Sequence, residues 1–232
     1  MRAALTVIVP TLNAQSELPS CLSALMEGLQ VGLIRELIVS DGGSKDETLR
    51  IADEVGARIA LGAPSRGGQL ARGSELAQGE WLLFLHADTV LSPGWAEVML
   101  DHIDSGGEKA GYCQLRFDQP GLAARIVAGW ANMRAKRFGV PFGDQSLLIS
   151  RELYDQVGGY RDQPLMEDVA MARALKGALV ELAITAQTSG AKYVQEGWIR
   201  RGARNLWLQI RYLNGADPHA LAQAYQPSDR PS

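Results

Sequence analysis

The run Trp81-Leu82-Leu83-Phe84-Leu85, closed by His86-Ala87-Asp88, constrains this chain more than any other stretch. So short an apolar run suits a strand buried on both faces better than a helix. Such a strand needs parallel neighbours and covering helices, and in open α/β sheets ligands gather outside its carboxyl end. His86 and Asp88 stand at that end, where an imidazole and a carboxylate can hold a divalent cation against a phosphate. The plainer reading is a strand followed by an Asp88-Thr89 turn, because Asp is common in turns.

The flanking sequence supplies the neighbours. Leu5 to Val9 is a continuous, largely β-branched run that predicts a first buried strand. Leu18, Leu22, Leu25 and Leu29 recur at helical spacing and predict an amphipathic helix. Glu36 to Ser40 predicts a second strand, closed by Asp41-Gly42-Gly43, and Ser44 with Glu47 predicts a capping box opening the next helix. Ala57 to Leu61 predicts a third strand, Gly67 to Gln78 a glycine-containing helix, and Glu80 to Leu85 the fourth strand. This alternation implies an α/β fold with a mostly parallel central sheet and helices on both faces. Further on, Ala110–Phe117, Ser146–Ile149 and Leu179–Ile184 read as strands, and Leu122–Phe138 and Glu167–Leu175 as helices.

Composition and missing motifs exclude several classes. A chain of 232 residues, 46% hydrophobic and 21% charged, describes one large globular domain with a substantial core. A net charge of −3 leaves no electrostatic footprint for nucleic acid. Cys21 and Cys113 lack metal-ligand spacing and read as buried thiols in a reducing compartment, with a single bridge as the alternative. Met1-Arg2 runs straight into the first strand without a cleavage-like segment, so no signal peptide is expected. Nothing approaches the roughly 18 apolar residues of a membrane span. The first strand is followed by Pro10-Thr11-Leu12-Asn13-Ala14 without a glycine, so dinucleotide binding is a poor reading. A Walker loop and a G-x-S-x-G elbow are also missing.

Polar residues then remain at successive strand ends: Thr11 and Asn13 after the first, Asp41 after the second, Asp88 after the fourth. On a parallel sheet these ends lie side by side. Asp41 either accepts a hydrogen bond from a nucleobase N–H or initiates the Asp41-Gly42 turn. Asn13 either faces a ligand or caps the first helix. Arg66, in a Ser65-Arg66-Gly67-Gly68 stretch expected to be flexible, and Arg72 are available for phosphate oxygens.

Taken in order, Thr6-Val7-Ile8-Val9-Pro10-Thr11-Leu12-Asn13, Val39-Ser40-Asp41-Gly42-Gly43-Ser44 and Gly79 to Asp88 resemble the family-2 glycosyltransferases of GT-A fold. The resemblance continues through Gly143-Asp144-Gln145, Val157-Gly158-Gly159-Tyr160 and Pro164-Leu165-Met166-Glu167-Asp168, to about residue 215. The later segments are most similar to a bacterial subgroup of small transferases associated with radical-SAM and selenium-related genes. The resemblance implies an inverting transferase that moves a sugar from a nucleotide-diphosphate donor, UDP-linked by preference, to an acceptor hydroxyl. It implies that Pro10, Thr11, Asn13, Asp41, Arg66 and Asp88 bind the donor, with Asp41 on the base. Asp88 and His86 would hold Mg²⁺ or Mn²⁺, Asp144 and Gln145 would lie near the acceptor, and Asp168 would be the catalytic base with Glu167 as fallback. An acidic residue in a first helical turn also favours the helix dipole, which is the alternative for Asp168.

His86 departs from the family pattern, standing where the first acid of its Asp-x-Asp motif is expected. That substitution removes a negative charge from the cation site and keeps a non-catalytic nucleotide-sugar-binding protein as the rival reading. A nucleotidyltransferase is the enzyme rival, though the glycine-rich loop it needs is missing. The Gln-x-x-Arg-Trp motif of processive synthases is also missing. The resemblance divides the chain into a nucleotide-binding half (1–90) and an acceptor-side half (91–195) of one domain reaching residue 215; residue spacing adds an amphipathic helix (196–215), and a Pro-, Gln- and Ser-rich composition a poorly ordered tail (216–232). In that helix Ile199, Ala203, Leu206, Ile210 and Leu213 form an apolar stripe beside Arg200, Arg204 and Arg211. Such a stripe packs on its own domain or on a second subunit, or else lies on an anionic membrane. The expected location is the cytoplasm, with peripheral contact at the inner membrane face in the membrane case.

Overall fold

The computed structural model describes residues 3–106 and 108–225. The first half alternates as expected: β1 (Leu5–Thr11), α1 (Leu18–Gln30), β2 (Ile34–Asp41), α2 (Thr48–Glu54), β3 (Arg58–Leu61), α3 (Arg66–Leu76) and β4 (Trp81–Phe84). The second half adds β5 (Thr89–Leu91), α4 (Trp95–Asp104), β6 (Ala110–Phe117), α5 (Leu122–Phe138), a single helical turn Gly143–Gln145 and β7 (Leu147–Ser150). It closes with α6 (Arg151–Gln156), α7 (Glu167–Ala174), β8 (Leu179–Thr188), α8 (Ala191–Glu196), α9 (Trp198–Leu213) and α10 (Pro218–Tyr225). The sequence reading passed over β5, α4, α6 and α8. Of these, α4 buries Trp95, Ala96 and Met99 at helical spacing, a legible signal. β5 is only three residues long and exists through its pairing with β8.

One eight-stranded sheet runs through both halves in the order β3-β2-β1-β4-β7-β6-β8-β5. The pairs β3–β2, β2–β1, β1–β4 and β6–β8 are parallel. The pairs β4–β7, β7–β6 and β8–β5 are antiparallel, which makes the sheet mixed. Alternation along the strands separates two cores. Val7, Val9, Leu83 and Leu85 pack against Leu18, Leu22 and Leu25 of α1 and Trp95 and Met99 of α4. Ile8, Leu82 and Phe84 face the opposite layer, with Leu70 of α3, Tyr154 of α6 and Met171 of α7. Cys21 and Cys113 are both free and buried, and burial pushes each thiol up to about 12.

Three local expectations are corrected. The Ser44–Glu47 capping box does not form: α2 begins only at Thr48, and the Ser44 hydroxyl is drawn instead to Asp41. The tail does not fray from residue 216. α10 docks by burying Leu221 against Val169 and Leu208, and residues 226–232 lie outside the described ones. α9 does pack on its own domain, but through Arg201, Leu208 and Gln209 rather than through its apolar stripe. Ile199, Leu206, Ile210 and Leu213 stay exposed. Among the described residues no helix is long and apolar enough to cross a membrane.

The central strands should dominate stability. Leu83→Ala, at a fully buried position, should lose about 2–5 kcal/mol in denaturant unfolding. Leu61→Ala on β3, 62% exposed, should stay within about 0.5 kcal/mol of the parent. Equal losses would contradict this division of the core.

Candidate active site

The parallel register sets Thr11 beside Asp41 at the carboxyl ends of β1 and β2. Asp41 is fully buried there and accepts four hydrogen bonds. Its Oδ1 takes the backbone N–H groups of Gly43 and Ser44, each at 2.7 Å. Its Oδ2 takes the hydroxyls of Thr11 at 2.8 Å and Ser44 at 2.5 Å. Burial works to raise this carboxyl, but the donors from Ser44, Thr11 and Gly43 outweigh it and hold it below the usual range. A carboxylate offers about four lone-pair sites, and in this arrangement Asp41 spends them on its neighbours. It shapes the Asp41-Gly42 turn here, the second of its two sequence readings. Gln69 of α3 braces the same loops, donating from Nε2 to the carbonyls of Thr11 and Ser40, both at 2.8 Å.

The cation candidates meet because of the antiparallel pairs. Phe84 of β4 pairs with Leu147 of β7, so the turn that precedes β7 sits beside the residues that follow β4. Asp144 thereby reaches His86, with its Oδ1 at 2.9 Å from the ring Nδ1. On the other flank Thr89 pairs with Thr188, and Ser189 donates its N–H to the Asp88 carbonyl at 3.2 Å. One ligand atom each from His86, Asp88 and Asp144 falls within a 4.8 Å span. Asp88 also belongs to a turn, its neighbour Thr89 donating to the His86 carbonyl at 3.1 Å.

Electrostatics matches a site built for positive charge. Burial and the nearby Asp144 raise the Asp88 carboxyl. Burial opposes charge on His86, yet its hydrogen bond to Asp144 and the carboxylates of Asp144 and Asp88 raise it. Asp144 is lowered: burial works against it, but His86 outweighs burial, with help from Arg66 and Lys192. An imidazole with two carboxylates suits Mn²⁺ or Mg²⁺, and a bound cation would replace the proton shared by His86 and Asp144.

α7 brings its first-turn acids to the same cleft. Its N-cap, Met166, holds φ at 65°, a left-handed conformation rare without glycine. Asn13 and Ser146 are the other described non-glycine residues with positive φ, so all three lie in loops around this cleft. Asp168 accepts from Gly143 N at 2.9 Å on Oδ2 and from Val169 N at 2.7 Å on Oδ1, which leaves a lone pair on each oxygen. Glu167 is 3% exposed and its Oε2 has no hydrogen-bond partner. Burial, then the adjacent Asp168, push its carboxyl up to about 7, against the pull of Arg66. Desolvation in the cleft opposes the charge of Arg66, an exposed residue, but Glu167, Tyr225, Asp144 and Asp168 around it keep the guanidinium firmly protonated.

Pro10, Thr11, Asn13, Arg66 and Asp88 line one continuous cleft. His86, Asp144, Glu167 and Asp168 line an adjoining pocket that shares Arg66, His86 and Asp88 with it. Several roles change. Asn13 does not cap α1, which starts at Leu18. It ties two loops, taking the Lys45 N–H on Oδ1 at 2.9 Å and giving its own N–H to Ser44 Oγ at 2.8 Å. Gln145 is fully buried, donating to the Cys113 carbonyl at 3.1 Å and accepting from Phe142 N at 3.0 Å, so it braces the Asp144 turn rather than facing an acceptor. Arg72 is committed to the Asp41 carbonyl at 3.3 Å. The Ser65-Arg66-Gly67-Gly68 stretch is the capped start of α3, Ser65 accepting from Gly68 N. Lys192, Tyr193 and Tyr225 also line the cleft and escaped the sequence reading. Nothing local marks them, because they arrive on short or terminal helices whose docking is tertiary.

Residues 6–157, more than half of the chain, match the model of Glycosyl transferase family 2, and the chain belongs to that family. A 93-residue segment is 41% identical to the PGL/p-HBAD biosynthesis glycosyltransferase of Mycobacterium bovis, covering 37% of this chain and 36% of that protein. The Mycobacterium tuberculosis protein of the same name matches equally, and the chain spans little more than a third of these curated relatives. Among solved structures, residues 1–349 of S. aureus TarS superimpose with a TM-score of 0.60 at 17% identity, covering 90% of this chain and 65% of that one. Glucosyl-3-phosphoglycerate synthase from M. tuberculosis, solved with Mn²⁺ and UDP-Glc, gives 0.57 at 20% identity, covering 80% and 69%. The fold is that of the GT-A glycosyltransferases.

Glu167 gives the site a pH signature. Its folded value of about 7 lies above the ordinary 4.5, so between the two the folded state holds a proton the unfolded state has lost. Stability should therefore fall as pH rises through that window, by on the order of 3 kcal/mol. In EDTA, Glu167→Gln should gain on the parent from pH 5 to pH 8 in thermal unfolding. Parallel pH profiles for the two proteins would refute the unpaired buried acid.

Proposed function

We propose that this chain is an inverting, metal-assisted glycosyltransferase that takes a sugar from a UDP-linked donor to an acceptor hydroxyl. Within the family its segments from Val157 to Asp168 favour the small radical-SAM-associated subgroup. The observation that carries the reading is the junction at Gly143: the turn that brings Asp144 to His86 and Asp88 also donates its N–H to Asp168. Cation ligands and a carboxylate with free lone pairs thus share one rigid connection. The Mn²⁺ and UDP-Glc bound by the M. tuberculosis synthase support the donor class.

Pro10, Thr11 and Arg66 at the mouth would receive the donor diphosphate, and His86, Asp88 and Asp144 would hold the cation. The cation, when bound, neutralises charge on the departing diphosphate, and Arg66 supports the same oxygens. The acceptor oxygen attacks the anomeric carbon from the opposite face as the carbon–oxygen bond to the diphosphate breaks. The hydroxyl proton passes to Asp168, whose general-base help contributes roughly 10²–10⁴-fold. Glu167 is the weaker candidate, because up to about pH 7 it keeps its proton.

Calorimetric titration of UDP-glucose with Mn²⁺ should show binding that EDTA or Asp88→Ala abolishes. Asp168→Asn should keep donor affinity and lose transfer by roughly 10²–10⁴-fold. Transfer at the parent rate would remove Asp168 as the base, and an absence of donor binding would remove the reading itself. A Cβ at Gly143 would come within 2.7 Å of His86 Cε1 and Nε2. Gly143→Ala should therefore shift the imidazole and weaken Mn²⁺ binding by roughly 10–100-fold, as loss of a ligand-orienting contact does.

A further inference from the structure

The largest unexplained feature lies outside the cleft. α5 buries Ala124, Ala128, Ala131 and Ala135, small residues that bring it close to the sheet. Its opposite side leaves Leu122, Ile126, Trp130 and Met133 exposed, the first two by 71% and 61%. These positions, spaced four, four and three apart, occupy one narrow arc of the helix. α9 packs alongside, and the seam is marked by Arg134 donating to Gln209 at 3.1 Å. Past Gln209 around α9 come Leu213, Leu206, Ile199 and Ile210, all exposed, Ile199 by 86%. The two apolar arcs therefore border the same seam and form one strip.

Its charge is one-sided. Neither helix contains an Asp or Glu, although the whole chain carries a net charge of −3. Arg125, Lys136, Arg137, Arg200 and Arg211 are exposed on these two helices. Trp207 is 51% exposed, with the Arg211 guanidinium 4.8 Å from its ring centroid. Exposed tryptophan beside cations on long stems is the chemistry of a headgroup boundary, where the ring sits in the interface and the charge meets lipid phosphate.

We propose that α5 and α9 together form a docking surface for an anionic lipid bilayer. A second copy of the chain is a poorer occupant, since a two-fold contact would bring each basic face against its own like charges. The bilayer supplies the missing negative charge and apolar depth together. Arg201 and Asn205, on the inner side of α9, line the cleft. If the cleft is the active site proposed above, docking holds its acceptor side against the lipid. The docking itself depends on the surface alone.

Co-sedimentation of the full chain with phosphatidylglycerol–phosphatidylcholine vesicles, against phosphatidylcholine alone, tests it. Binding should require phosphatidylglycerol and weaken with salt. Arg200→Glu with Arg211→Glu should cut partitioning by at least about fivefold per charge. Trp207→Ser with Ile210→Ser should also release the protein. All four residues are surface positions, and unchanged thermal unfolding of the variants excludes misfolding as the cause. No sedimentation with phosphatidylglycerol, or equal sedimentation of parent and variants, overturns the proposal. So does a dimer in sedimentation velocity that Ile126→Asp dissociates, because the strip would then be a contact between copies.

Discussion

The antiparallel pairing of β7 with β4 governs the rest of this structure. β1, β2 and β4 run parallel and release their chains at one edge, which already gathers Pro10, Thr11 and His86. A further parallel strand would deliver its carboxyl end to that edge. β7 instead enters there by its amino end, and Leu147 opposite Phe84 fixes the register. The residues just before β7 must then lie against those just after β4. Asp144 meets His86 for that reason, and Gly143 meets Asp168 because α7 crosses the same edge.

Around that pairing, polar groups divide into those spent on shape and those kept for chemistry. Asp41 and Gln145 are fully buried and fully engaged, and Gln69 clamps two strand ends at once. Losing one partner of such a group would leave the others unsatisfied in a dry setting, a cost of about 1–3 kcal/mol each. Asp168 holds only two donors, Glu167 leaves an oxygen unpaired, and Arg66 is held by charge alone among the hydrogen bonds described. Asp88, Asp144, Glu167 and Asp168 crowd one cleft with Arg66, His86, Lys192 and Arg201 as their balance.

α9 joins this cleft to the outer surface. Its inward Arg201 pairs with Glu196 and donates to the Tyr225 hydroxyl at 2.6 Å, which ties α8, α9 and α10 into one layer beside the cleft. An amphipathic helix ordinarily buries its apolar side. Here the polar side is inward because the cleft wall needs arginine and amide groups, and the apolar side is left to solvent.

Local pattern determined a large part of this protein. The buried runs at Leu5–Val9 and Trp81–Leu85, the leucine spacing of α1 and the limits of β6 and α5 follow from periodicity, which acts over a few residues. The order of motifs from Thr6 to Asp168 carried the family; His86 and Asp88 were legible as candidates on type and position, Glu167 and Asp168 only through the resemblance. Strand direction in the second half was not, since an antiparallel β7 and a parallel β8 carry the same kind of apolar run. Nor was the employment of Asp41, Asn13 and Gln145, whose side chains suit a ligand and a loop equally until their neighbours are known. Which face of α9 turns inward was decided last, by what the cleft and Leu221 offered it. Sequence sets what each residue can do; only the packed sheet, by bringing distant loops into contact, decides which of those things it does.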